Sequence, residues 1–112
     1  VTSMEKIYNK LVRDNIPEII KKDGNVPIIR YLDDNDFLVE LKNKLFEEYQ
    51  EVLNANNSND LLEELADMLE VITYIAKVHN KTLDDIINIA KIKKDKKGGF
   101  DKKIFLEKEI QN

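Results

Sequence analysis

Two long stretches whose apolar residues recur every three or four positions, separated only by Asn56-Asn57-Ser58-Asn59, constrain this chain more than any other feature. That spacing sets apolar side chains along one side of an α-helix. The first stretch, from about residue 36 to 55, carries Leu38, Leu41, Leu45, Tyr49 and Val52 in a single stripe. The second, from about residue 60 to 78, is apolar over most of its circumference, from Leu61 through Met68 to Val78. The polar run between them reads as a turn whose residues can also cap the second helix. Together they predict an antiparallel helical hairpin.

The flanking sequence adds shorter elements. Ile16-Pro17-Glu18-Ile19-Ile20 predicts a short helix, with Pro17 in its first turn and Gly24 as its stop. Thr82 and Asp85 have the spacing of a capping box for a further helix reaching about Lys94, which Gly98-Gly99 breaks. β-Branched and aromatic residues over 26–32 predict a short strand, and residues 103–107 a closing strand that pairs with 28–32. The expected fold is all-α, one domain over residues 4–112, with a small β element from the termini. Val1-Thr2-Ser3 ahead of Met4 reads as an addition to a chain that starts at Met4.

A chain of 112 residues fits one domain, 42% apolar and 36% charged. So small a monomer buries a limited share of its surface, and self-association is expected. The expected interface is the second long helix, where Leu69, Val71, Ile72, Ile75 and Val78 exceed what a narrow-striped neighbour can cover. Two-fold pairing of hairpins would give a four-helix-type bundle, as a dimer or tetramer. The net charge of −4 argues against a nucleic-acid polymer as partner. The absence of cysteine excludes disulfides and thiolate metal sites and suits a reducing cytosol. No apolar run approaches the roughly 20 residues that span a bilayer. Lys6, Asn9, Lys10, Arg13 and Asp14 interrupt any N-terminal signal segment, so a cytoplasmic location with no membrane partner is expected.

The acids carry the chemistry. Projected on the first long helix, Glu48 falls on the apolar stripe, Glu51 on its flank, and Glu47 more nearly toward solvent. On the second, Glu63, Glu70, Thr73 and Lys77 form a polar sector, but Glu64 lies between the directions of Val71 and Ile75, with Asp67 nearby. Buried carboxylates are costly unless paired or metal-bound. In a hairpin folded about the centre of the turn, Glu48 meets Asp67 and Glu51 meets Glu64. Four acids then stack in two adjacent layers with no basic residue between them. Such a set repels itself unless protons or cations intervene. All-oxygen ligands suit magnesium, with manganese as a compatible substitute. Each acid taken alone is most simply a solvated helix face; the layering is what favours a metal site.

Written out, the acids are Glu47-Glu48-Tyr49-Gln50-Glu51, then twelve residues, then Glu64-Leu65-Ala66-Asp67. This resembles the E-E-x-x-E…E-x-x-D signature of the all-α, MazG-type NTP pyrophosphohydrolases, a superfamily that includes phosphoribosyl-ATP pyrophosphatases. Tyr8-Asn9-Lys10-Leu11-Val12-Arg13-Asp14 with Ile16-Pro17 is similar to the opening of a house-cleaning branch. Lys93, Lys97, Gly98, Gly99 and Phe100 resemble that branch's closing motif. The resemblance implies that Glu48, Glu51, Glu64 and Asp67 bind Mg2+. It implies hydrolysis between the α and β phosphates of a nucleoside triphosphate, giving a nucleoside monophosphate and pyrophosphate. The ions would neutralise phosphate oxygens and help generate the attacking hydroxide. Glu47 is a further catalytic candidate, to orient or deprotonate the water. Lys97 stands where the branch commonly has arginine, losing a bidentate fork but keeping charge, and Asn15 stands where lysine is usual.

Lys93 and Lys97, one turn apart, and Lys10 with Arg13 are candidate binders of substrate phosphates. The plainer readings are a solvated helix end that suits the helix dipole, and an ion pair between Arg13 and Asp14. His79 reads as a helix-end residue, and Phe46, Tyr49 and Tyr74 as core. Three alternatives stand beside the house-cleaning hydrolase: a phosphoribosyl-ATP pyrophosphatase, a nucleotide-binding regulator without turnover, and a non-catalytic oligomerisation module. The last has no reason to place Glu64 and Asp67 among apolar residues.

Overall fold

A computed structural model describes residues 4–112, and the reading of Val1-Thr2-Ser3 lies outside them. The helices are α1 (Ile16–Lys22), α2 (Asp34–Asn54), α3 (Ser58–Val78) and α4 (Leu83–Lys97). Side chains set three of the four starts. The Asp33 carboxylate accepts the Asp36 N–H at 2.8 Å, and the Asn57 side-chain oxygen accepts the Asp60 N–H at 2.9 Å. Thr82 and Asp85 form the expected capping box, with the Thr82 N–H donated to the Asp85 carboxylate at 2.8 Å. Such caps contribute about 1 kcal/mol each. Gly98, at φ 84°, closes α4 in a backbone conformation that residues with a Cβ rarely adopt.

α2 and α3 lie along one another as the expected antiparallel hairpin, joined by residues 55–57, and α4 folds back onto α3. The buried centre is small: Leu41, Val71 and Ala76, with Glu48 among them. Val71 therefore belongs to the interior of this chain and not to the expected interface. Ile72, Ile75 and Val78 are half-buried, because α4 returns over that end of α3 and brings Ile86 beside Ile72 and Ile75. The hairpin leaves apolar residues exposed along its length, from Val39 and Tyr74 at the far end to Phe46, Tyr49, Leu53, Leu62, Leu65 and Leu69 nearer the turn. Phe46 and Tyr49 lie with ring centres 6.4 Å apart and ring planes tilted by 39°, on the exposed surface and outside the core expected for them.

The small β element does not form. Among the described residues there is no strand, and residues 26–32 and 103–107 have no regular structure. β-Branched residues favour a pleated surface only where a neighbour packs against them. Neither segment finds one within this chain: Ile28 is 92% exposed and Phe105 87%. The accessible surface is 10706 Å², against about 6,400 Å² for a compact monomer of this mass. The radius of gyration is 19.3 Å, against about 13 Å for a compact chain of this length. No described helix is long and apolar enough to cross a membrane.

Candidate metal centre

α2 supplies Glu48, and α3 supplies Glu64 and Asp67 one turn apart. One carboxylate oxygen from each lies within 4.8 Å of the others. The register differs from the expected one for a simple reason. α3 starts at Ser58, so the connection is shorter than the four-residue turn the sequence suggested, and its centre moves to residue 56. Glu48 then stands level with Glu64, with Asp67 on the following turn. Glu51 is left outside the group and exposed. A single group of three acids spanning adjacent turns stands in place of the expected two layers of two.

Glu48 is the buried member. Burial pushes its carboxyl above the ordinary range, and the nearby Asp67 charge pushes the same way; Glu64 and Glu47 add to this, while Lys44 opposes it. The group thus has the donor chemistry a hard dication requires: three converging carboxylates, one of them desolvated and crowded by like charge. Three such ligands leave positions for water and phosphate oxygens, as magnesium prefers, and manganese accepts the same donors.

The expectation that no basic residue enters the layers is overturned. Lys44 Nζ lies 3.0 Å from Glu47 and 3.7 Å from Glu48. Sequence reasoning missed Lys44, although its position four residues before Glu48 is a standard pairing distance on a helix. Lys10 donates to Glu47 at 3.0 Å. Arg13 donates to Asp67 at 2.8 Å and lies 3.8 Å from Glu70, not paired with Asp14. Burial is the largest single influence on Glu47 and works against its ionisation. Hydrogen bonds and charge from Lys44 and Lys10 together outweigh it and hold the carboxyl below the ordinary range. The same Glu47 hydrogen bond raises Lys10. Asn9, Lys10, Asn43, Lys44 and Glu47 border a groove of about 150 Å³ beside the acids.

Lys93 and Lys97 are exposed at the far end of α4, and neither forms an ion pair among the described residues. His79 is the helix-end residue expected, donating from Nδ1 to the Ile75 carbonyl at 2.9 Å.

No family model matches the chain. No solved structure matches it. It is 43% identical over 54 residues to an uncharacterized protein of Mycolicibacterium smegmatis (strain ATCC 700084 / mc(2)155), a match covering 48% of this chain and 55% of that protein. The chain thus spans about half the length of the curated relative it matches.

Proposed function

We propose that this chain is a magnesium-dependent nucleoside triphosphate pyrophosphohydrolase that splits the bond between the α and β phosphates. Its products would be a nucleoside monophosphate and pyrophosphate, and its role the removal of non-canonical nucleotides in the cytoplasm. The observation that supports the reading is the convergence of Glu48, Glu64 and Asp67 into one group between the two helices of the hairpin, with Glu48 buried. An oligomerisation module would gain nothing from that arrangement. The signature resemblance supplies the reaction class and adds Glu51 to the ligand set on its own authority.

A bound magnesium ion would supply charge neutralisation for the phosphate oxygens and Lewis acidity at the phosphorus. Glu48, Glu64 and Asp67 would hold it. Glu47 is kept ionised by Lys44 and Lys10, which makes it a poor store for a proton but a fixed acceptor for the hydrogen of an attacking water. Lys10 and Arg13, beside the acids, are the nearer phosphate-binding candidates; Lys93 and Lys97 would have to act from a neighbouring copy or a rearranged α4.

The active form we propose is a homo-oligomer, a dimer or tetramer. The excess of accessible surface over that of a compact monomer is several thousand Å², ample for a stable interface of about 1,600 Å². The test of function is a pyrophosphate-release screen over canonical and modified nucleotides, with and without magnesium. Release of pyrophosphate and monophosphate only with the metal is expected. No release from any nucleotide, or release of orthophosphate alone, would overturn the reading.

A further inference from the structure

The N-terminal segment reaches across the hairpin with two cations three residues apart. Asn9, at φ 45°, turns the chain in the left-handed region, one that asparagine tolerates better than most residues. Beyond that bend Lys10 sits on Glu47 of α2 at 3.0 Å, and Arg13 sits on Asp67 of α3 at 2.8 Å. Leu11 and Val12, between the two anchors, are half-buried. Arg13 also lies 3.8 Å from Glu70, so its guanidinium spans two acids one turn apart.

We propose that residues 10–13 form a counter-cation strap over the acid layer, in which Arg13 holds Asp67 until a divalent cation displaces it and frees the guanidinium for a phosphate oxygen. This rests on the cation site proposed above. A carboxylate whose oxygen accepts from Arg13 must turn or give up that hydrogen bond to ligate an ion, so the two cations compete for Asp67. Both side chains are substantially exposed, Arg13 at 58% and Asp67 at 39%. Exposed pairs of this kind are weak and salt-sensitive, which suits a contact that must open. Arginine also presents the planar fork that matches a phosphate once released. Lys10 stays on Glu47, which is not among the three converging acids, and keeps the strap tethered.

The test is a Mn2+ titration of the metal-free full chain at low salt, reading the free-ion electron paramagnetic resonance signal. Wild type is compared with Arg13→Gln, and with Lys21→Gln as a charge-matched control that pairs with Glu18 instead. Removing the competitor should tighten Mn2+ binding about two- to fivefold, the range an exposed ion pair allows, and Lys21→Gln should change nothing. Arg13→Lys, which keeps the charge but loses the fork, should give a smaller change in the same direction and serves if Arg13→Gln fails to fold. In wild type, Mn2+ should accelerate amide hydrogen exchange over residues 11–14, and Arg13→Gln should weaken pyrophosphate binding to the Mn2+-loaded protein. Saturable wild-type binding with equal Mn2+ affinity in Arg13→Gln would overturn the strap and leave the cation site standing. Tighter Mn2+ binding without change in exchange or pyrophosphate affinity would reduce Arg13 to a distant charge and also overturn it. No saturable Mn2+ binding in wild type would instead remove the cation site itself.

Discussion

The hairpin and the two arms of this chain are built from similarly apolar sequence and end in opposite conditions. Between residues 34 and 78 two capped helices meet along their stripes, and the little that is buried, Leu41, Val71, Ala76 and Glu48, lies there. Residues 26–32 and 100–110 carry Ile28, Tyr31, Phe100 and Phe105, each almost fully exposed. The hairpin needs only its own turn to align its halves, whereas the apolar residues of the arms meet no packing surface within this chain. The acids converge in the self-sufficient part, and the proposed assembly would draw on apolar surface that both parts leave exposed.

The sharpest way to break this comparison is at the acids. Glu48→Gln or Asp67→Asn should lower turnover by more than about a hundredfold, since even partners behind a metal ligand cost ten- to a hundredfold. Near-normal rates in both variants at saturating magnesium would refute the site. For the arms and outer hairpin, sedimentation equilibrium at micromolar concentration should give a multiple of 13.1 kDa. Leu69→Glu, on the exposed part of α3, should drive the mass toward the single chain or unfold it. Ile75 would be a poorer probe of assembly, because it already faces α4 within one chain. A wild-type mass of 13.1 kDa would contradict the assembly.

A smaller effect separates the acids from the rest of the hairpin. Magnesium at ten times its dissociation constant should stabilise the folded chain by about 1.4 kcal/mol, or about 5 °C in melting temperature. Identical melting in chelator would count against a site formed before substrate arrives. The smallest effect concerns protons. Glu48 has a folded pKa above its ordinary 4.5, so metal-free stability contributed by this group is present below that value and is lost as pH rises through the raised one. Glu47 runs oppositely: its lowered pKa gives stability above 4.5 that is lost as pH falls. In chelator, Glu48→Gln should therefore be more stable than wild type at neutral pH by urea denaturation, with the gap closing in acid. A variant less stable at neutral pH would contradict the repulsion inferred at Glu48.

Local signals were legible in the sequence. The Thr82–Asp85 box, the Gly98 stop and the helical periods depend on neighbours within a few residues, and each is found where its pattern lies. The acids were legible as a group because Glu64 and Asp67 occupy an otherwise apolar sector. Their pairing was not, since starting α3 at Ser58 moves the centre of the turn, and the acids found converging are Glu48, Glu64 and Asp67. Lys44 could have been read from its spacing to Glu48; Arg13 on Asp67 could not, being 54 residues away in sequence. The β element is absent among the described residues because strand propensity acts only where a neighbouring strand packs alongside, and residues 26–32 and 103–107 find none in this chain.

The central claim is that Glu48, Glu64 and Asp67 form one cation site, and titration calorimetry of Mg2+ into metal-free protein addresses it most directly. Wild type should show saturable binding at neutral pH, and Glu64→Gln and Asp67→Asn should each weaken it at least about tenfold while circular dichroism shows the helices retained. Equal affinity in wild type and both folded variants would contradict the account.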